Sequence, residues 1–179
     1  MASPYRAINT LPDPSILDIK INVGDWPRTD RFATTNFRET VSLVVLSKKY
    51  KMPGAEAVLH NQDREICRAA LIEVKKIEQF LNATASLVTL NAVVPHGQIY
   101  THTDPGDFFI KHHRVHLPLL TSVGAVMTID DTEFHLERGV FCEIDNVRPH
   151  SVVNNSDEYR VHLIIDLLPN ETEFSNTVS

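Results

Sequence analysis

The chain has 179 residues, 42% of them hydrophobic and 22% charged, with 17 Lys and Arg against 23 Asp and Glu, a formal charge of −6. That length and apolar content suit one domain with a sizeable core and exclude wholesale disorder. The acidic balance lacks the clustered positive charge that nucleic acid requires, so no nucleic-acid partner is expected. No apolar run approaches the roughly 18 residues of a membrane helix, and the start shows no basic-then-apolar leader, so no membrane association and a cytoplasmic setting are expected. Cys67 and Cys142 stand far apart in no metal or redox spacing and read as free, buried thiols.

Residues 1–62 form an irregular N-terminal part, punctuated by Pro4, Pro12, Pro14, Pro27 and Pro53. Within it, the β-branched stretch 40–46 is short enough for a strand. Trp26, the one tryptophan, reads as a core or subunit-contact anchor. Residues 63–82 form a scaffold helix: Ile66, Ala70, Val74, Ile77 and Leu81 recur at helical spacing, Asn61 or Asp63 can cap the start, and Asn82 suits the end. From 86 to 168 the period changes to that of strands, at 86–94, 99–102, 114–121, 125–129, 133–136, 140–144, 151–153 and 159–168. Turn residues such as Asp104-Pro-Gly106, Gly124, Gly139 and Asn154-Asn155 separate them. Many short strands with frequent turns predict an all-β core with one flanking helix, in a jelly-roll or cupin-like double-stranded β-helix, the whole chain making a single domain.

Polar residues interrupt these strands in a pattern. Arg114 and His116 share one strand face, opposite Val115 and Leu117; Arg160, His162 and Asp166 share one face, opposite Val161, Leu163 and Ile165. His102 and Asp104 follow a strand with the spacing that puts both side chains on one side. His150 lies several strands downstream, before a further strand. Two histidines and one carboxylate make the facial triad of non-haem Fe(II) oxygenases, with coordination positions left open. Arg160, on the last strand, offers a guanidinium that can fork onto a carboxylate.

His102-Thr-Asp104, Arg114-Val-His-Leu-Pro-Leu119, His150, Asn154-Asn-Ser156 and Arg160-Val-His-Leu-Ile-Ile-Asp166 together resemble the aspartyl/asparaginyl β-hydroxylase family, and within it the bacterial free-amino-acid hydroxylases such as proline cis-4-hydroxylase. The resemblance covers about residues 86–168. It implies a dioxygenase using Fe(II), 2-oxoglutarate as co-substrate and O2. His102, Asp104 and His150 would be the iron ligands and catalytic centre. Arg160 would hold the distal carboxylate of 2-oxoglutarate, with Asn91 assisting. Arg114 and His116 would line the same cavity, binding co-substrate or a substrate carboxylate.

Phe108, or Phe109 beside it, stands where it could cap a substrate pocket or merely pack. His112 and His113 read as exposed loop residues, His60, His96 and His135 as ordinary polar residues, and His162 stays outside the metal site. The expected activity is hydroxylation of an unactivated C–H bond in a free amino acid or amino-acid-derived small molecule. The alternatives are hydroxylation of Asp, Asn or Pro residues in a peptide, and a non-redox cupin-like protein binding a metal or ligand. An exposed strand edge or the N-terminal segment could build a homodimer.

Overall fold

The computed structural model describes residues 3–8, 14–26, 39–49 and 56–170. Eleven strands are described: β1 (Tyr5–Ile8), β2 (Thr40–Ser47), β3 (Val58–Leu59), β4 (Ala83–Val93), β5 (Gln98–His102), β6 (His113–Leu120), β7 (Ala125–Ile129), β8 (Thr132–Phe134), β9 (Phe141–Ile144), β10 (His150–Asn154) and β11 (Arg160–Pro169). Helices α1 (Glu65–Leu81) and α2 (Asp107–Lys111) and a short 3-10 turn at Ser15–Asp18 complete the fold. No helix among the described residues is long and apolar enough to cross a membrane.

The strands form two antiparallel sheets, one in the order β1-β9-β6-β11-β4-β2-β3, the other β5-β10-β7-β8. They face each other as the two layers of a jelly roll, and α1 covers the outer side of the larger sheet. This layering explains an inversion of the usual strand pattern. On β6 and β11 the apolar residues Val115, Leu117, Val161, Leu163 and Ile165 are fully buried in the cluster that includes Val74 and Ile77 of α1. The alternate, polar residues therefore point into the barrel instead of to water. A second, smaller cluster, with Met127, Ile129, Ile144 and Val152, fills the barrel around them. Trp26 joins the larger cluster, as a core anchor should, and both cysteines are buried and free.

Helix α1 ends where expected: Asn82 takes the left-handed conformation (φ 48°), and its backbone N–H donates to the Glu78 carbonyl. Its start differs. Neither Asn61 nor Asp63 caps it; Arg64 occupies the N-cap position with no side-chain cap bond, and the Asn61 amide donates instead to the Val44 carbonyl at 2.8 Å. The N-terminal part is also more regular than its prolines suggest. β1 pairs with β9 from Tyr5 opposite Ile144 to Ile8 opposite Phe141, a strand too short to announce itself by period. Pro12, Pro27 and Pro53 lie outside the described residues.

Candidate active site

Strand pairing builds the centre of the site. His102 ends β5 and His150 begins β10, and the two lie directly opposite in the antiparallel register, their rings 4.2 Å apart. A register shift in β10 follows immediately, between His150 and Val152. Asp104 sits just past the end of β5, where its backbone N–H donates to the Asn146 carbonyl (3.1 Å) and ties its loop to the β9–β10 connection. Gly106, at φ 103°, then makes a turn into α2 that a side chain would strain.

One ligand atom each from His102, Asp104 and His150 falls within 4.8 Å of the others. Asp104 Oδ1 lies 3.8 Å from His102 Nε2, and Oδ2 lies 3.9 Å from His150 Nε2. The ring tautomers suit a metal. His102 Nδ1 donates to the Tyr100 carbonyl (2.8 Å) and His150 Nδ1 to the Arg148 carbonyl (2.9 Å), so in both rings Nε2 keeps its lone pair for an ion. Burial holds His150 neutral by lowering its pKa below the ordinary histidine value. Two neutral imidazoles and one carboxylate fit ferrous iron, and the three ligands leave coordination positions open.

These ligands stand at one end of a cavity of about 160 Å³, room for roughly five water molecules. Its far wall is the inner face of β4, β6 and β11. Arg160 is 4% exposed and has no carboxylate partner among the described residues; its Nη2 donates to His162 Nδ1 at 3.0 Å. Burial pulls its pKa well below the ordinary arginine value, down to about 9. Asn91 lines the same wall with its Oδ1 buried and without a hydrogen-bond partner. A buried cation with no carboxylate partner among the described residues is what an anionic carboxylate needs in order to enter so apolar a space. Of the Asn91 amide only Nδ2 could donate to such a group, since Oδ1 is itself an acceptor.

Arg114 differs, although it lies on the same face. Asp166 is its direct partner in the β6–β11 register, and Arg114 Nε and Nη2 donate to Asp166 Oδ1 (2.8 Å) and Oδ2 (3.0 Å). Its Nη1 donates to Asp104 Oδ2. Burial alone would lower its pKa, but Asp166 and Asp104 together outweigh burial and raise it. His116 lines the cavity next to it, and His162 lies behind Arg160. Both pKa values fall well below the ordinary value, through burial first and then the Arg160 charge. Arg160 donates to His162 Nδ1, so His162 is neutral with its proton on Nε2. His116 Nδ1 approaches the same His162 nitrogen at 3.4 Å.

His102, Asp104, His150, Arg160, Arg114, His116 and Asn91 therefore converge on one cavity. Phe108 does not line it. Its ring stacks on His112 at 4.0 Å, and Phe109 is the aromatic in the cavity wall, with the Arg114 guanidinium carbon 4.8 Å from its ring centre. Successive helical residues point about 100° apart, and on α2 this turns Phe109 into the cavity wall and Phe108 onto His112. His112 is buried, not exposed; its Nε2 meets Ser86 Oγ at 2.9 Å because α2 folds its C-terminal end onto β4. His113 begins β6 and pairs with Glu143, which also binds Arg6 of β1. Sequence reasoning missed Asn146, whose amide donates to Asp104 Oδ2 at 3.2 Å, and the role of Asp166. Asp166 was visible on the Arg160 face; Asn146 gave no signal. His162, left outside the metal site by sequence, is indeed no ligand, but it supports Arg160.

The profile of the family described as Aspartyl/Asparaginyl beta-hydroxylase matches residues 40–169. No curated protein matches the chain. Among solved structures, a viral collagen prolyl hydroxylase from Paramecium bursaria Chlorella virus 1, in complex with 2-oxoglutarate, is 14% identical. That match spans 94% of this chain and 97% of the other, with a TM-score of 0.58. A 2-oxoglutarate-Fe(II) oxygenase family oxidoreductase from Burkholderia pseudomallei is 11% identical over 73% of this chain and 69% of that one, TM-score 0.56. A prolyl hydroxylase from Trichoplax adhaerens, bound to a hypoxia-inducible-factor peptide, is 10% identical over 80% and 69%, TM-score 0.54. At these identities the structures establish a shared fold.

Proposed function

The chain belongs to the aspartyl/asparaginyl β-hydroxylase family and is an Fe(II)- and 2-oxoglutarate-dependent dioxygenase, and we propose that it hydroxylates an aliphatic C–H bond in a free amino acid or a small molecule derived from one. When bound, Fe(II) and 2-oxoglutarate supply the activated oxygen, one atom of O2 going to the substrate and the other to succinate as CO2 leaves. His102, Asp104 and His150 would hold the metal. Arg160 and Asn91 would hold the distal carboxylate of the co-substrate. The observation that carries this assignment is the buried Arg160 guanidinium, which has no carboxylate among the described residues to neutralise it.

The small substrate is supported by the size of the cavity. About 160 Å³ leaves little beyond the co-substrate itself, so only a compact group can approach the metal, past Phe109, Ile99 and Val152. These neighbours contribute apolar surface and exclude water from the reacting C–H bond. A second reading rests on a separate observation. An open groove of about 410 Å³ shares Phe109, Arg114, Ile144 and Asn146 with the cavity and runs on past Ser3–Arg6. It has room for residues flanking a side chain held at the metal, as a peptide substrate would require.

One experiment separates the readings. Anaerobically loaded Fe(II) protein is mixed with 2-oxoglutarate and O2 and a panel of free amino acids, and with the same residues as N-acetylated amides and within short peptides. Succinate release coupled to a gain of one oxygen is expected for the free amino acids. Coupling with peptides alone overturns the small-substrate reading.

A further inference from the structure

We propose that Arg114 is a positioning residue for the metal-binding carboxylate, braced by Asp166, and that it does not serve as a receptor for a substrate or co-substrate anion. The inference rests on the metal site assigned above, but it concerns residues outside the ligand set.

The brace begins in the register. Arg114 and Asp166 face each other across β6 and β11, so their side chains meet end to end in the barrel. Two parallel bonds, 2.8 and 3.0 Å, join the guanidinium edge to both carboxylate oxygens, and the Asp166 side chain is 2% exposed. A forked pair of this kind fixes orientation as well as distance. With that edge pinned, the remaining nitrogen, Nη1, is aimed at Asp104 Oδ2. The Asn146 amide donates to the same oxygen, and the Asn146 carbonyl accepts from the Asp104 backbone N–H. Asp104 is thus gripped at its backbone and at Oδ2. Its Oδ1, which accepts no hydrogen bond among the described residues, stays turned toward His102 Nε2.

All three guanidinium nitrogens of Arg114 are therefore engaged with carboxylates the protein already holds. Phe109 covers the group further, 4.8 Å from the guanidinium carbon. Three of the five Arg114 N–H donors are spent in this way, and its single positive charge is already shared by two carboxylates, so an incoming anion would meet a locally negative group unless Asp166 or Asp104 were released. Arg160 faces no such competition. One inward arginine serves the metal ligand and the other is left for an anion.

The test reads metal affinity directly, with Co(II) as the probe in calorimetric titration, and 2-oxoglutarate affinity at saturating Co(II). Asp166→Asn and Arg114→Gln are expected to weaken Co(II) binding about 10- to 100-fold, the usual cost of losing a partner behind a metal ligand. Each should leave 2-oxoglutarate affinity within threefold. Arg114→Lys keeps the charge but not the fork and should not rescue. Asn146→Ala, at a loop position, should weaken Co(II) about three- to tenfold and keeps the test open if Asp166→Asn does not fold. Arg160→Met should show the converse, unchanged Co(II) and lost 2-oxoglutarate binding. Co(II) affinities within twofold of wild type in the folded variants overturn the proposal, as does a loss of 2-oxoglutarate affinity in Arg114→Gln at unchanged Co(II). Either result is distinct from a wild-type protein that releases no succinate, which would defeat the functional reading and leave the Co(II) measurements standing.

Discussion

Replacing Arg160 with methionine should make the ligand-free protein more stable while removing its affinity for 2-oxoglutarate. Arg160 is 4% exposed, and burial lowers its pKa from the ordinary arginine value to about 9, which corresponds to about 5 kcal/mol of desolvation that no carboxylate among the described residues offsets. Methionine has a similar reach and no charge. The substitution also strips His162 Nδ1 of its donor, and an orphaned buried acceptor costs about 1–3 kcal/mol. The balance is a gain of about 2–4 kcal/mol, or a rise in Tm on the order of 10 °C for a chain of this size. On the ligand side, a forked guanidinium–carboxylate contact contributes two charge-assisted bonds of about 1.5–3 kcal/mol each. Losing both predicts a Kd for 2-oxoglutarate raised at least 100-fold. Thermal melting with and without 2-oxoglutarate, in the presence of Mn(II), reads both effects. The wild type should gain stability with co-substrate, and the variant should start higher and gain nothing. A variant that melts below wild type and still responds to 2-oxoglutarate refutes the reasoning, because Arg160 would then be a structural cation.

The two aromatics of α2 should separate by phenotype. Phe109→Ala opens the cavity wall and should raise substrate KM about tenfold while Tm falls little. Phe108→Ala removes the ring stacked on His112 and should lower Tm with KM unchanged; steady-state kinetics and melting curves check both. His116 and His162 resist protonation in the folded state, their pKa values lying well below 6.5, while the unfolded chain takes up protons there. Stability is therefore intact above pH 6.5 and falls as pH drops through it, with a slope approaching about 2.7 kcal/mol per pH unit for the two groups. Urea titrations from pH 7 to 5 measure the slope, and His162→Leu should lower it by about 1.4 kcal/mol per pH unit, the share of one such group. At Gly124 a Cβ would stand 2.9 Å from the Asn155 carbonyl oxygen, backbone that is itself pinned by the Asn155 N–H donating to the Gly124 carbonyl. Gly124→Ala should cost about 1–3 kcal/mol by urea denaturation, with metal affinity preserved.

The features that sequence exposed are those written in alternation. Val115 and Leu117, with Val161, Leu163 and Ile165, mark one strand face for the α1 side, and the same period assigns Arg114, His116, Arg160 and Asp166 to the other. Polarity alone would have sent that second face to water. His102, Asp104 and His150 turned it inward, since metal ligands must share a cavity. Contacts made across the fold left no such trace. Asn146 sits in a turn and reaches Asp104 through a loop-to-loop bond that has no period. The choice of Phe109 over Phe108 depends on the rotation of a single helical turn that begins at Gly106. β1 takes its place because β9 offers a free edge, not because four residues carry a strand signal. Whether Arg114 is free or engaged was equally hidden: Asp166 could be placed on its face, but the fork depends on a register that pairing alone determines.

Charge counting within the cavity bears on the substrate. Its described lining carries two carboxylates, Asp104 and Asp166, and two guanidiniums, Arg114 and Arg160, with burial keeping His116 and His150 neutral. That wall is neutral as a whole. A divalent cation and a dianionic co-substrate add nothing to the sum, so the loaded pocket is again balanced, and in a water-poor space a further unpaired charge is costly. The charge of Arg114 is already outweighed by the two carboxylates it binds, Asp166 and Asp104. The described lining therefore favours a substrate that is zwitterionic or neutral near the metal and works against a side-chain carboxylate there. In the amino-acid panel this places free asparagine ahead of free aspartate. The reverse order would require a cation the described cavity does not offer.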